Sequence, residues 1–245
     1  MKLRGCVKAV ILAGGLGTRL NPYTLIVPKP MLTLGNRPIL EYIIEWLEES
    51  KEIDEIILSV SYLYKLIENY FENGSRFGID IKYIRTKQPM GTAGQLKAAE
   101  KSINNETFVC LNSDHIYKFK LNKMITEHFN FNAFVSMALL PYKIALEKRF
   151  GNIREISKRK GSNSYKIVGL EKEKEIRGLI NIGCYIFEPG ILQIIPSSTV
   201  FPMDIILKEI IDEQKKLKRG YIIKQELIDI GDKRSYLDTF MKFLR

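Results

Sequence analysis

Histidine, cysteine and tryptophan are scarce in this 245-residue chain, at two, three and one residues. The cysteines, Cys6, Cys110 and Cys184, are odd in number, far apart, and each lies in or beside an apolar run. No disulfide framework is expected from them, and they read as reduced, mostly buried thiols of a cytoplasmic protein. Neither His115 nor His128 stands at a metal-site spacing from a cysteine, so neither is taken as a site residue. Trp46 falls on the apolar face of a helical segment and reads as core or interface packing. No apolar run approaches a membrane span. Lys2, Arg4 and Lys8 precede Ala9-Val-Ile-Leu-Ala-Gly-Gly15, but that stretch is too short for a secretory leader and is better explained as a first β-strand. Internal repeats and low-complexity linkers are also missing, which leaves one domain as the reading of residues 1–245.

What is abundant is apolar residue and positive charge. At 45% hydrophobic, the chain can bury a sizeable core without disulfides or a structural metal. Its 38 basic and 28 acidic residues leave a formal charge of +10, which favours polyphosphates, nucleic acid or an acidic membrane surface as partners. The basic residues are spread along the chain, which argues against nucleic acid. The densest run, Lys215, Lys216, Lys218 and Arg219, follows an amphipathic segment and reads as a solvated helix end.

Short β-branched runs alternate with helical-period segments as far as Pro141, the pattern of crossover units feeding a mainly parallel sheet. Strands are expected at Val7–Leu12, Glu55–Val60, Ile81–Arg85, Thr107–Leu111 and Phe134–Leu140. Helices are expected at Arg37–Glu49, with Pro38 in the first turn, and at Tyr64–Glu72, Thr92–Lys101 and Asn122–Phe129. Beyond Pro141 the texture changes: Ile153–Ser157 and Lys166–Leu170 flank the turn-rich Lys160-Gly-Ser-Asn-Ser164, a hairpin signal. Strands at Leu179–Phe187 and Tyr221–Lys224 and helices at Met203–Gln214 and Lys233–Leu244 complete a mixed-sheet α/β domain. Its N-terminal half would bind nucleotide, and its C-terminal half would add a second ligand surface.

The strongest chemical feature is Leu12-Ala-Gly-Gly-Leu-Gly-Thr-Arg-Leu20 at the end of the first strand. Its glycines let backbone N–H groups approach a polyanion, and Arg19 adds a fork of donors for phosphate oxygens. A dinucleotide fingerprint fails because Leu20 stands where the last glycine should, and no Gly-Lys-Ser/Thr ends a Walker loop; a plain glycine turn stays open. Lys29 lies between Pro28 and Pro30, which fix the chain on both sides and bias Lys29 to extended geometry. That restraint favours a positioned cation, with a structural turn as the alternative. Asp114 and Asp229 each end an apolar run, at the edge where open α/β sheets bind ligands. Either alone could cap a turn; together, beside a phosphate loop, they could hold one Mg²⁺ completed by triphosphate oxygens and water.

These features resemble the signature of the sugar-1-phosphate nucleotidylyltransferases. Gln88-Pro-Met-Gly-Thr-Ala-Gly94 is similar to that family's second glycine segment, and Leu111-Asn-Ser-Asp114 to its metal-binding strand end. Gly169-Leu-Glu-Lys172, Asn181-Ile-Gly-Cys-Tyr185 and Ile228-Asp-Ile-Gly231 match later motifs in the expected order. Thr24-Leu-Ile-Val-Pro-Lys-Pro30 and Ile57-Leu-Ser-Val-Ser-Tyr62 resemble the guanylyltransferase branch that makes GDP-mannose, with dTTP or UTP and glucose 1-phosphate as the alternative substrates. The chain departs from the family at Glu173, where a proline is usual, and at Leu227, where a tryptophan is frequent.

The resemblance implies a Rossmann-like three-layer sandwich with a mixed, mainly parallel central sheet, the nucleotide-diphospho-sugar transferase fold, without a C-terminal β-helix. It implies a nucleotide site of Leu12, Ala13, Gly14, Gly15, Gly17, Thr18, Gln88, Gly91 and Thr92, and catalytic Arg19, Lys29 and Asp114. It implies a sugar-phosphate site of Gly151, Glu171, Lys172 and Asn181, with Mg²⁺ on Asp114 and Asp229. The string Glu171-Lys-Glu-Lys-Glu175 reads alternatively as a solvated charge run. The implied partners are a nucleoside triphosphate and a sugar 1-phosphate, with neither nucleic acid nor membrane, and any homo-oligomer would form through the catalytic domain. The reaction would be in-line attack of a sugar-phosphate oxygen on the α-phosphorus, needing no general base because the nucleophile is already anionic. Two rivals are a nucleotide-sugar glycosyltransferase, which would not need Arg19 and Lys29 in these settings, and a non-catalytic regulatory subunit that binds nucleotide sugar.

Overall fold

The computed structural model describes residues 7–141, 152–158, 164–171, 179–213, 216–225 and 227–244. Its strands are β1 (Val7–Leu12), β2 (Thr33–Leu34), β3 (Arg37–Pro38), β4 (Ile53–Val60), β5 (Asp80–Arg85), β6 (Phe108–Asn112), β7 (His115–Ile116), β8 (Val135–Pro141), β9 (Asn152–Lys158), β10 (Ser164–Glu171), β11 (Leu179–Phe187), β12 (Lys218–Ile222) and β13 (Ile228–Asp229). The α-helices are α1 (Ile39–Glu49), α2 (Tyr64–Phe71), α3 (Gly91–Ala98), α4 (Glu100–Ile103), α5 (Leu121–Asn130), α6 (Met203–Asp212) and α7 (Lys233–Phe243).

Among the described residues, nine strands form one mixed sheet in the order β5-β4-β1-β6-β11-β8-β12-β10-β9. β5, β4, β1 and β6 are parallel, whereas β11 runs against β6 and β8, and β10 against β12 and β9. The expected hairpin is present as the β9–β10 pair, with Lys158 opposite Tyr165. β1 alternates its side chains between two cores. Ala9 and Ile11 join α1, α2, α5 and α7 on one face, while Val10 and Leu12 join α3, α4 and α6 on the other. This is the three-layer sandwich, and it is why β1 reads as a continuous apolar run. Each fully buried Ile or Val in it contributes about 1.5–3 kcal/mol.

The chain order places the site. From β1 it moves to β4 and β5 on one side, then returns to β6 on the other. The crevice beyond the carboxyl ends of β1 and β6 is therefore a topological switch point, where open α/β sheets bind ligands.

Several expected boundaries move. Pro38 is extended (φ −59°, ψ 147°) and precedes α1, because Arg37–Pro38 pairs with Thr33–Leu34. The helix expected over residues 92–101 is divided at Ala99 into α3 and α4. The basic run is not a solvated helix end. Lys218 and Arg219 open β12, pair with Val135 and Ser136, and are buried, with the Arg219 guanidinium 4.0 Å above the Phe131 ring. Long aliphatic stems and a cation–π contact let two charged residues start an interior strand, so β12 begins ahead of the expected Tyr221.

Candidate active site

A cleft at the switch point is lined by the first glycine loop, Arg19, Lys29, Pro30, Thr92, Gln95, Asn112, Ser113, Asp114 and Gly231. The loop leaves β1 under restraint. Ala13 N–H donates to Ser59 O, and Gly14 N–H donates to Gln95 Oε1, both at 2.8 Å, while the Ser113 hydroxyl donates to Leu12 O. The N–H groups of Gly15, Leu16 and Gly17 then find no acceptor among the described residues. Leu20, fully buried, anchors the 3₁₀ turn Thr18–Leu20. Gly17 is left-handed (φ +65°), and a Cβ there would come within 2.9 Å of Thr24 Cγ2 and 3.2 Å of Lys29 Cβ. Glycine at this position lets the loop lie directly against the lysine turn.

Lys29 is not extended, as its flanking prolines predicted, but opens the 3₁₀ turn Lys29–Met31 after an extended Pro28. Pro30 tolerates the turn because an N–H at its start would have no helical partner in any case. The turn carries the Lys29 ammonium to Asp114, with Nζ 2.6 Å from Oδ2 and side chains only 12% and 18% exposed. β7 and β13 pair with His115 opposite Asp229, so the two aspartates meet across an imidazole. His115 Nδ1 is 2.9 Å from Asp114 Oδ1, and its Nε2 is 3.3 Å from Asp229 Oδ1, which also accepts from Gly231 N–H. Burial works against ionisation of Asp114, but His115 and then Lys29 outweigh it and hold the carboxyl well below the usual carboxylate range. Burial likewise works against the His115 cation, yet Asp114 and Asp229 raise its pKa to about 9.

Asp114 Oδ1 is buried and faces His115 Nδ1 at 2.9 Å outside good hydrogen-bond geometry, so the imidazole is its neighbour in the absence of a cation. Among the described residues, no group of three or more His, Cys, Asp or Glu is arranged to hold a metal. Asp114 and Asp229 are the two carboxylates nearest the cleft's cations, on either side of His115, and their chemistry suits a divalent cation whose remaining ligands would come from phosphate and water.

The second glycine segment is used differently from the first. Gly91 is left-handed (φ +69°), and a Cβ there would lie 2.6 Å from Phe201 O. That carbonyl accepts from Ala93 and Gly94 N–H, and Thr92 Oγ1 accepts from Met203 N–H. The start of α3 is thus capped by the chain entering α6, and these glycines admit a backbone strap rather than an anion. Thr92 still lines the cleft, whereas Gln88 is exposed and lines a separate groove with Lys87, Lys97 and Ser197.

Of the sugar-phosphate residues, Gly151 and Lys172 lie outside the described residues, and Glu171 ends β10 opposite Asn152. Asn181 is buried, with both ends of its amide occupied: Oδ1 accepts from Gly183 N–H, and Nδ2 donates to the Tyr185 hydroxyl. It holds an irregularity in β11 where Gly183 (φ +69°) leaves room for the Asn112 amide. Sequence reasoning missed Gln95, Asn112 and Ser113 and set His115 aside. Only the position of His115 beside Asp114 hinted at its place.

Comparison with known proteins agrees with this geometry. A family model described as "Nucleotidyl transferase" matches residues 8–245. The chain is 36% identical to the D-glycero-alpha-D-manno-heptose 1-phosphate guanylyltransferase of Aneurinibacillus thermoaerophilus, covering 92% of this chain and 93% of that one. It is 32% identical to the mannose-1-phosphate guanylyltransferase catalytic subunit beta of Xenopus tropicalis, covering 98% of this chain and 65% of that one. Its fold is that of a UDP-glucose pyrophosphorylase solved with UDP-glucose, at a TM-score of 0.82 and 20% identity over 98% of both chains.

Proposed function

The chain belongs to the nucleotidyl transferase family, and from that premise we propose that it is a guanylyltransferase joining GTP to a manno-configured sugar 1-phosphate, with release of pyrophosphate. The observation that carries this reading is the Lys29–Asp114 pair set against three successive N–H groups at the switch point. A glycosyltransferase would not need that lysine beside a polyanion cradle. Mannose 1-phosphate is the first acceptor. The similarity to a heptose 1-phosphate guanylyltransferase of matching length favours the heptose 1-phosphate as the second.

Catalysis on this reading is charge cancellation and alignment. The N–H groups of Gly15 to Gly17 and the Arg19 guanidinium hold the β- and γ-phosphates and stabilise the departing pyrophosphate. Lys29 has its ammonium at Asp114 Oδ2, from where it reaches phosphate at the reacting centre. Lys172 neutralises the incoming sugar phosphate, whose oxygen attacks the α-phosphorus in line. A divalent cation, Mg²⁺ foremost, when bound by Asp114 and Asp229 supplies positive charge to the phosphate oxygens. Before a cation arrives, Asp114 and Asp229 raise the pKa of His115 to about 9, and its imidazole lies between the two carboxylates. Cys110 and Cys184, buried and unoxidised, accord with a cytoplasmic setting.

The test is pyrophosphate release with Mg²⁺ across GTP, UTP, dTTP, ATP and CTP against the 1-phosphates of mannose, glucose, glucosamine and D-glycero-D-manno-heptose. A dominant signal with GTP and either manno sugar supports the proposal. A signal with another pair moves the substrate, and silence from folded protein favours the regulatory-subunit reading.

A further inference from the structure

Gln95 lies on α3 facing β1, and only 4% of it is exposed. Its carbonyl accepts from the Ser59 hydroxyl at 3.1 Å, which fixes this turn of the helix against β4. Its side chain is fixed as well. Oε1 accepts from Gly14 N–H at 2.8 Å, and a Cβ on Gly14 would stand 3.0 Å from that same oxygen. The two ends of a carboxamide are told apart by what they face, and a backbone N–H can only face the oxygen. The amide therefore cannot turn over without setting N–H against N–H. Nε2 donates to no group among the described residues, although Gln95 lines the cleft with Arg19, Lys29 and Asp114. With Oε1 held by the loop, that donor pair is left for an acceptor entering the cleft.

We propose that Gln95 is a nucleotide-contacting residue whose Nε2 donates to an oxygen acceptor of the bound nucleoside triphosphate. The inference rests on the nucleotidyltransferase reading of the cleft. It adds to the site a neutral donor whose orientation is set by the first glycine loop itself. Two sources can present such an oxygen: a carbonyl of the base or a phosphate. Because Gly14 N–H holds Oε1, the contact is read as a donor only, and an isosteric change that turns the donor into an acceptor reverses it.

Gln95→Glu makes that change while keeping an oxygen for Gly14. Equilibrium binding of GTP and of ATP to the whole chain with Mg²⁺ should show GTP weakened by about tenfold or more, the worth of one hydrogen bond to a nearly buried donor. A loss larger for GTP than for ATP assigns the base carbonyl, and equal losses assign a phosphate oxygen; both support the proposal. The KM for sugar 1-phosphate should not move. GTP affinity within about twofold of wild type overturns the proposal, as does an affinity restored to wild type by high salt, which marks through-space repulsion instead of a contact. Gln95→Met, neutral and of similar volume, covers a failure of the first variant to fold. It should lose GTP affinity to the same order, and unchanged binding overturns the proposal. Wild-type protein that binds no nucleotide overturns the nucleotidyltransferase reading, and this inference falls with it. Failure of the variants alone leaves that reading standing.

Discussion

Replacing Lys29 with methionine keeps the length of the side chain and removes its charge. In the folded protein Asp114 Oδ2 would then face no ammonium, while its side chain stays four-fifths buried. Removing one partner of a buried pair costs about 3–5 kcal/mol because the other charge is left uncompensated. His115 still faces Asp114 from 2.9 Å and compensates part of the charge, so Lys29→Met should fall at or just below that range and lose roughly 2–3 kcal/mol. At about 2–4 °C per kcal/mol for a chain of this size, the melting temperature should fall by roughly 5–10 °C.

Asp114→Asn removes the charge that Lys29 answers, so the double variant should be less destabilised than the sum of the singles by about 1–3 kcal/mol. Denaturant unfolding of the four proteins measures that coupling. Turnover should follow a different rule. Each single variant should lose about 10²–10³ in kcat, the usual worth of one preorganised charge at a reacting phosphoryl group, and the double variant should recover none of it. Additive stabilities, within about 0.5 kcal/mol, would refute the claim that the pair is a coupled element. A near wild-type kcat in either single variant would remove that residue from the chemistry.

Gly91→Ala places a methyl group 2.6 Å from Phe201 O at a left-handed backbone position. It should cost about 1–3 kcal/mol by thermal unfolding, with an alanine tolerated at no cost as the contrary result. His128 gives a pH dependence. Burial depresses its pKa below 6.5, partly offset by Glu188, so its neutral form contributes stability that is present above the unfolded value and is lost as pH falls through the folded one. The melting temperature of the wild type should therefore drop more steeply below pH 6.5 than that of His128→Gln, and parallel curves would rule this out. Chelation of divalent ions should lower turnover by orders of magnitude and weaken nucleotide binding, both read by pyrophosphate release and calorimetry with and without EDTA.

The sheet was largely legible because periodicity is local. Val7–Leu12 coincides with its expected bounds, since a strand with a core on each face must be apolar throughout. β12 was misread at its start because Lys218 and Arg219 carry the wrong composition for an interior strand; Arg219 packs on Phe131 and Lys218 donates to Glu213 O. Within the site, Arg19, Lys29 and Asp114 were legible from glycine, proline and strand-end context. His115 was not, because its partner Asp229 is brought beside it only by the pairing of β7 with β13. Gln95 lies 81 residues from Gly14 in sequence, and nothing within its helix marks it as a loop anchor. Gly14 and Gly91 show the limit of reading glycine: the sequence says that a Cβ is missing, and the fold decides whether a phosphate, an amide or a strand of backbone takes the space.

The charge arrangement explains why such a site can be built before its ligand arrives. Among the described residues, Arg19, Lys29 and His115 stand against Asp114 and Asp229, one positive charge in excess, and the buried members are already matched. A cleft lined by three free cations would repel itself and destabilise the fold. The carboxylates remove that cost, but the triphosphate then meets a site whose own positive charge cannot balance it. On the proposed function, that deficit would be met by cations that enter with the nucleotide. Asp114, with Oδ2 on Lys29 and Oδ1 beside His115, is then the carboxylate to which such a cation would come. On the same proposed function, the carboxylate that neutralises Lys29 in the free protein would tie the use of that lysine to the arrival of a metal-bound nucleotide.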